Sequence, residues 1–379
     1  MTIRATKRGS QRTPLSAECD VLICGASFAG LSVARELAGI GARVMVIDRY
    51  EIGERQTSAC AAPTAWLENL GLGQSILQTF GELVVHTPDQ SVRWELPFTF
   101  STFDYRQLCL LLWDQAGDAH FETAKVNRRS GSTVETDRGA ITSELIVDAM
   151  GWRRILDSQP NVQPPDAPMS RGLEVSPAGS REDLELWLDP SYLASGYGWS
   201  FPAGGEVRVG LGSFEPRDHV REPTVRLSNA LGLAPDKYQG NWIPHKLRPG
   251  AGDEIFYVGD SAGHCLPLSA EGIRTAFYFG LAAGRELRLI LEGGQGREQA
   301  LERYALFSAQ HAAKFSIMLG LQQAYPKIPT RLMSKAVRAF GNPKVSRWAF
   351  QRYLEIAPPS YALSGPARSE KSPASSAAA

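Results

Sequence analysis

Several functional classes find little support in this chain. Its five cysteines, Cys19, Cys24, Cys60, Cys109 and Cys265, are scattered, odd in number and without C-x-x-C spacing. That argues against a disulfide framework or a structural zinc site and for a reducing compartment. No metal site is expected. No charge excess points to nucleic acid, since Lys+Arg and Asp+Glu both number 40, and no zinc-finger spacing, RNA-binding signature or basic heptad helix is found. No run of about eighteen apolar residues is present to span a membrane. The opening MTIRATKRGSQRTPLSAE is basic but has no apolar segment, so it reads as a disordered tail rather than a signal peptide. The expected address is the cytoplasm. No internal repeat is detected.

What is present centres on Asp20 to Asp48. Val21 to Cys24 forms a short apolar run bounded by glycine, as a buried parallel strand would be. Gly25-Ala-Ser27-Phe-Ala-Gly30 follows, and then Leu31, Ala34, Leu37 and Ala38 recur at helical spacing up to Gly41. A second apolar strand, Ala42 to Ile47, ends on Asp48. A strand, turn, helix and strand in this order place free backbone N–H groups and a helix N-terminus where a pyrophosphate can sit. Gly25 allows the tight turn and Gly30 the close helix–strand packing, while Asp48 stands where a carboxylate takes a ribose hydroxyl. Ser27 occupies the place usual for the second glycine.

The chain of 379 residues is long enough for two or three domains, and its 43% apolar content is that of a globular protein. The expected class is α/β. A Rossmann-like FAD-binding domain (19–81, 101–156 and 250–295) is interleaved with a sheet-rich substrate domain (82–100 and 170–248). A helical region (296–360) follows, with tails at 1–18 and 364–379. ELVVHTPDQSVRWELPF reads as a hairpin and FDYRQLCLLLWDQAG as a helix. The proline-rich stretch 157–172 reads as a crossing between domains.

Two further acids stand beside glycines at strand ends: Asp148 in V-D-A-M-G151, and Asp260 in V-G259-D-S-A-G, after which Glu271-Gly272-Ile273 opens a helix. One such acid is as readily a cap or turn former; three suggest a long ligand lying across strand ends. Together the G-A-S-F-A-G turn with Asp48, D-A-M-G and G-D-S-A-G resemble flavoproteins with the FAD fold of p-hydroxybenzoate hydroxylase. The resemblance implies that Gly25, Ser27 and Gly30 face the pyrophosphate and that Asp48, with neighbouring Arg49, serves the adenosine ribose. Arg106, in F-D-Y-R-Q-L, would lie along the cofactor, with Asp148 and Gly151 beside it, while Gly259 and Asp260 would hold the ribityl chain. The helix from Gly272 and Ile273 would aim its N-terminus at the flavin N1/C2 edge.

A second motif narrows the resemblance. Tyr197-Gly-Trp199-Ser-Phe201-Pro202 followed by Gly210-Leu-Gly212 is similar to the Y-x-W-x-F-P…G-x-G signature of geranylgeranyl reductases. In that family the aromatic residues line a pocket for an isoprenoid alkene. The alternation also puts three large rings on one face of a strand, which suits an apolar tunnel or, more simply, the core of a sheet domain. Aromatic hydroxylases of this fold usually carry G-D-A-A-H, whereas Gly263 precedes His264 here. Flavin halogenases need an active-site lysine after the first nucleotide unit, and no lysine lies between Lys7 and Lys125.

The resemblance implies an FAD-dependent reductase that saturates C=C bonds of a polyprenyl, geranylgeranyl-type lipid. NAD(P)H or a ferredoxin-like carrier would be the electron donor, since no second glycine-rich unit exists for a nicotinamide domain. The alternatives are an NAD(P)H-dependent FAD monooxygenase of an apolar or aromatic substrate and a non-catalytic flavin-binding partner protein. Cys60 and His264 are candidate proton donors, weighed against a plain buried thiol and a loop histidine satisfied by backbone. Between Arg303 and Arg352 the helices carry many cations, almost no acids and several apolar residues. That pattern suits peripheral contact with an anionic membrane or an ordinary solvated face.

Overall fold

In the computed structural model, residues 13–365 are described, apart from Thr57 and Pro160. The tails expected at 1–12 and 366–379 lie outside the described residues. The first strand, Ala17–Cys24, begins inside the expected N-terminal tail.

Two eight-stranded sheets organise the described chain. In the first, Ile255–Tyr257, Gly139–Asp148, Ala17–Cys24, Val44–Asp48 and His120–Thr123 run parallel in that order. Val21, Leu22, Ile23 and Cys24 are fully buried, as an apolar run covered on both faces requires. A parallel sheet puts all its strand C-termini along one edge. Cys24 pairs with both Ile47 and Asp148 there, so the ends of the first two acid-bearing strands flank the Gly25 turn.

Sterics at that turn dictate its glycines. Gly25 has φ +116°, and a Cβ on it would lie 2.3 Å from the Ala149 carbonyl oxygen; one on Gly30 would lie 1.9 Å from the Gly25 carbonyl oxygen. The helix Phe28–Glu36 follows. It ends sooner than the apolar spacing up to Ala38 suggests, because Gly39 already adopts a left-handed conformation ahead of Gly41. This helix packs on Ile273–Leu291, and Gly280 and Gly284 make the approach possible. A Cβ at Gly280 would meet the Ala29 carbonyl oxygen at 2.6 Å, and one at Gly284 the Glu36 Cβ at 2.6 Å. Buried Glu36 and Arg285 pair across the contact at 3.1 Å.

The second sheet, largely antiparallel, orders as Gln239–Pro244, Met169–Val175, Glu206–Ser213, Gly196–Ala203, Glu185–Trp187, Ile76–Thr87, Gln90–Phe103 and Ala61–Pro63. Its membership corrects the sequence-based boundaries. Ala61–Pro63 falls within the expected nucleotide half but pairs with Gln90–Phe103, and Ile76–Thr87 runs through the expected boundary at 81. The helix Arg221–Ala230, read from the sequence as part of a strand region, covers the outer face of this sheet through Val220 and Leu227. Helices Arg297–Ala309, Ala312–Ala324, Thr330–Phe340 and Pro343–Leu354 follow, and a short 3-10 turn, Pro359–Ala362, ends the described elements.

Candidate active site

A single cavity of about 1630 Å³ runs between the two sheets. That exceeds the several hundred to about 1,000 Å³ of an ordinary small-molecule pocket. It has room for a dinucleotide and a long apolar chain together.

The first sheet supplies one wall. Ser27 lines the cavity as N-cap of Phe28–Glu36 in extended conformation, and its hydroxyl lies 3.1 Å from that of Tyr105 instead of capping the helix. The first-turn N–H groups, which have no partner within a helix, open on this side. Asp48 also lines the cavity, accepting from Ala26 N at 2.9 Å and Tyr50 N at 3.0 Å. Burial raises its pKa, against those backbone donors. Beside it, the Arg49 guanidinium lies 4.9 Å from the Tyr50 ring centroid.

Gly151, Gly259, Asp260, Gly272 and Ile273 line the cavity as well. The Asp260 carboxyl faces it with no hydrogen bond or ion pair among the described residues. Burial lifts its pKa to about 6, opposed by Arg248. Gly272 packs against it, a Cβ there lying 3.7 Å from Asp260 Oδ1. Two helix N-termini, a carboxyl facing open space and glycine turns too tight for side chains fit a dinucleotide.

Four expected cofactor contacts are placed elsewhere. Gly25 packs against the Ala149 backbone and Gly30 against the Gly25 carbonyl, and neither reaches the cavity. Asp148 is fully buried behind the wall. Its carboxylate accepts from Met150 N, Leu156 N and Ser261 Oγ, at 2.9, 3.0 and 2.7 Å. The acid therefore shapes the D-A-M-G loop from within, the turn-forming role that short carboxylates often take. Arg106 is exposed and does not line the cavity. At the start of Tyr105–Asp114 the inward position belongs to Tyr105, with Leu108, Cys109 and Leu112, and one residue on turns about 100° away.

The second sheet forms the other wall. Tyr197, Trp199 and Phe201 project from Gly196–Ala203 into the cavity, with successive ring centroids 6.3 and 6.4 Å apart. The G-L-G stretch explains itself here. Gly210 and Gly212 sit opposite Trp199 and Tyr197 on the neighbouring strand, and a Cβ on Gly210 would lie 2.2 Å from Trp199 Cζ2. The indole lies flat over that strand only because the strand has no side chain there. Its N–H donates to Glu174 Oε2 at 2.8 Å, and Gln239 donates to Glu174 Oε1 at 2.5 Å. Burial raises the Glu174 pKa, against the Trp199 bond and the Arg208 charge.

Of the two candidate proton donors, only Cys60 lines the cavity. It has φ +54°, and its thiol lies 3.1 Å from the Ser58 carbonyl oxygen. Burial holds its pKa well above the ordinary thiol value, so it is a neutral thiol. His264 is buried away from the cavity, stacked on Phe279 at 3.7 Å, with Nε2 2.9 Å from Ser308 Oγ. Burial lowers its pKa well below the ordinary value. It is a core residue, because a ring this enclosed cannot exchange a proton with a cavity it does not touch.

The structure adds groups that the sequence reading left out. Tyr353, from Pro343–Leu354, reaches the cavity beside Glu271. Its hydroxyl donates to Glu271 Oε2 and lies 2.8 Å from Ser269 Oγ. Glu271 Oε1 accepts from Arg274 Nε at 2.7 Å, and Tyr197 donates to the Ser269 carbonyl at 2.5 Å. Glu271 carried a sequence signal, standing directly before the Gly272 helix start. Tyr353 carried none, because it is far away along the chain.

Comparison with known proteins agrees with this geometry. The FAD binding domain family matches residues 18–81. The digeranylgeranylglycerophospholipid reductase of Sulfolobus acidocaldarius is 26% identical over 324 residues, covering 73% of this chain and 70% of that protein. The geranylgeranyl diphosphate reductase of Rhodobacter capsulatus is 23% identical, covering 88% of this chain and 91% of that one. The chain resembles the geranylgeranyl reductases. It is an FAD-dependent oxidoreductase. In fold it is similar to a geranylgeranyl bacteriochlorophyll reductase-like protein of Thermoplasma acidophilum, with TM-score 0.78, 16% identity and coverage of 91% of this chain and 98% of that chain. No helix among the described residues is long and apolar enough to cross a membrane.

Proposed function

We propose that the protein saturates carbon–carbon double bonds of a polyprenyl lipid. One observation carries this reading: the aromatic strand and the dinucleotide-type turn open onto the same cavity, from opposite walls. Reduced FAD, when bound, supplies a hydride to one alkene carbon, and a proton completes the other, so the lipid gains two hydrogens.

The chain's own part is positional and electrostatic. Ser27 and the N-terminus of the helix Phe28–Glu36 serve the pyrophosphate, Asp48 and Arg49 the ribose, and Gly151, Gly259 and Asp260 the middle of the cofactor. Gly272 and Ile273 aim the positive end of Ile273–Leu291 at the place where negative charge gathers on reduction. Tyr197, Trp199 and Phe201 hold the apolar chain and exclude water. Buried Glu174 fixes the Trp199 ring. Cys60 and Tyr353 both keep their protons, since burial raises each pKa well above its ordinary value. Tyr353 is the better placed to refill, through Glu271, beside the helix N-terminus.

The reductant is NAD(P)H or a ferredoxin-like carrier. The test is anaerobic: reduce the bound flavin with dithionite, add geranylgeranyl lipid, and follow flavin absorbance with lipid mass. Reoxidation with a gain of two hydrogens per turnover supports the reading. Flavin that stays reduced until air enters, with oxygen then found in a product, makes the protein a monooxygenase instead.

A further inference from the structure

We infer that the helices Ala312–Ala324, Thr330–Phe340 and Pro343–Leu354 seat the protein on an anionic bilayer, around the mouth of the cavity. The inference deepens the lipid-reductase reading and rests on it for the contents of the cavity.

Charge is the first observation. Overall the chain is neutral, yet no Asp or Glu occurs between Glu302 and Glu355. Lys327, Arg331, Lys335, Arg338, Lys344 and Arg347 are exposed in that span. Among the described residues, Arg338 hydrogen-bonds only to the neutral Gln90 amide oxygen, at 2.6 and 3.0 Å. Asp89, beneath these helices, accepts from the Ser334 hydroxyl, and that bond and, to a smaller degree, the Arg338 charge lower its pKa.

Apolar exposure is the second. Ile317 and Trp348 are each 65% exposed, Leu332 56% and Leu321 53%. Ile317, Gly320, Leu321 and Ala324 fall at one-face spacing on their helix, and all are exposed. An ordinary solvated helix face carries polar groups at such positions.

Continuity with the site is the third. Leu321 and Ile328 are exposed and also line the cavity, and Met333, Ala336 and Phe340 carry the lining inward. An apolar chain could therefore pass from a membrane to the aromatic strand without crossing water.

A bilayer suits this face better than a second copy of the chain. Lysine is depleted from the core of protein–protein contacts, and two copies would oppose cation to cation. Basic residues mixed with Trp, Leu and Ile match the headgroup boundary of an anionic leaflet, where lysine and arginine stems lie along apolar surface and their heads stay wet.

The test is flotation of the FAD-loaded full chain with vesicles of phosphatidylcholine alone, or of phosphatidylcholine with about one third phosphatidylglycerol. The mixed vesicles should bind it, and binding should fall about tenfold or more on neutral vesicles or at high salt. Ile317→Glu with Trp348→Glu should weaken binding by a similar factor, with flavin absorbance and melting temperature unchanged, as neither residue lines the cavity. Lys327→Glu with Lys335→Glu and Lys344→Glu should remove the preference for anionic vesicles. No flotation with mixed vesicles would overturn the inference, as would flotation indifferent to charge reversal. A dimer in analytical ultracentrifugation that the same substitutions dissolve would give the face to a second copy and also overturn it. Turnover of detergent-dispersed lipid without vesicle binding defeats only the docking. Binding without turnover of any prenyl lipid supports the docking and defeats the reductase reading.

Discussion

Both sheets place glycine where something must come close, but for opposite purposes. In the turn and helices that cover the parallel sheet, Gly25, Gly30 and Gly280 bring backbone against backbone, and their missing side chains serve the fold. In the antiparallel sheet Gly210 clears space for a ring that lines the cavity. The parallel half makes its site from main chain, helix ends and one open carboxyl. The antiparallel half makes its site from side chains. Damage to the first half should therefore reach folding and cofactor together, whereas damage to the second should spare the cofactor.

The largest effect expected is at Gly30. Gly30→Val would drive a side chain into the Gly25 carbonyl, costing about 3 kcal/mol or more by overpacking alone. Thermal melting should fall steeply, and the purified protein should be colourless; a yellow protein of wild-type melting temperature would break the comparison. Gly210→Ala comes next. It should cost about 1–3 kcal/mol, retain FAD, and lower lipid turnover at least tenfold by tilting Trp199. Loss of FAD in that variant would mean the halves are not separable in this way.

Asp260 sharpens the contrast through pH. In the apoprotein its pKa is raised from 3.8 to about 6, so the protonated form is the one folding favours. Its contribution to apoprotein stability is full below about pH 4 and is lost as the pH rises through about 6. Ribityl hydroxyls donating to the carboxylate would favour the charged form. FAD affinity should therefore rise about tenfold between pH 5 and pH 7, as read by fluorescence quenching. Asp260→Asn should flatten that slope, and a slope unchanged in the variant would assign it to another group.

Tyr353→Phe should retain FAD and lower the alkene-reduction step about tenfold to a hundredfold, with altered pH dependence. A variant with wild-type turnover leaves the Cys60 thiol as the group to test. The smallest effect is at Cys60 itself. With its pKa well above the ordinary thiol value, it should alkylate far more slowly with iodoacetamide at pH 8 than a free thiol does.

Local patterns along the chain were enough for the nucleotide half. The Val21–Cys24 run, the Gly25 and Gly30 turn and Asp48 are neighbours within thirty residues, and their types and spacing are enough to give the strand, the tight turn and the strand end. Tyr197, Trp199, Phe201, Gly210 and Gly212 were legible for the same reason, because strand alternation and a hairpin fix which residues face one another. Position alone misled at Asp148, Arg106 and His264, as it did for the cofactor contacts expected of Gly25 and Gly30. Asp148 has the same signature as Asp48, yet its two oxygens are satisfied from behind the wall by Met150, Leu156 and Ser261. Arg106 is one helical step from the inward position of Tyr105. His264 sits four residues from Asp260 but turns into the core, onto Phe279.

By itself, then, the sequence determined what depends on backbone conformation and short-range periodicity: the parallel nucleotide unit, the aromatic strand and the helix at Gly272. Only the tertiary structure decided what depends on contacts between distant segments. Tyr353 lies eighty-two residues from the Glu271 it bonds, and the Glu174 that holds the Trp199 indole comes from a different strand. Nor could the sequence show that the exposed apolar stripe of the last helices runs into the cavity. Periodicity reports which way a side chain points on its own element; what it meets is settled only when the elements pack.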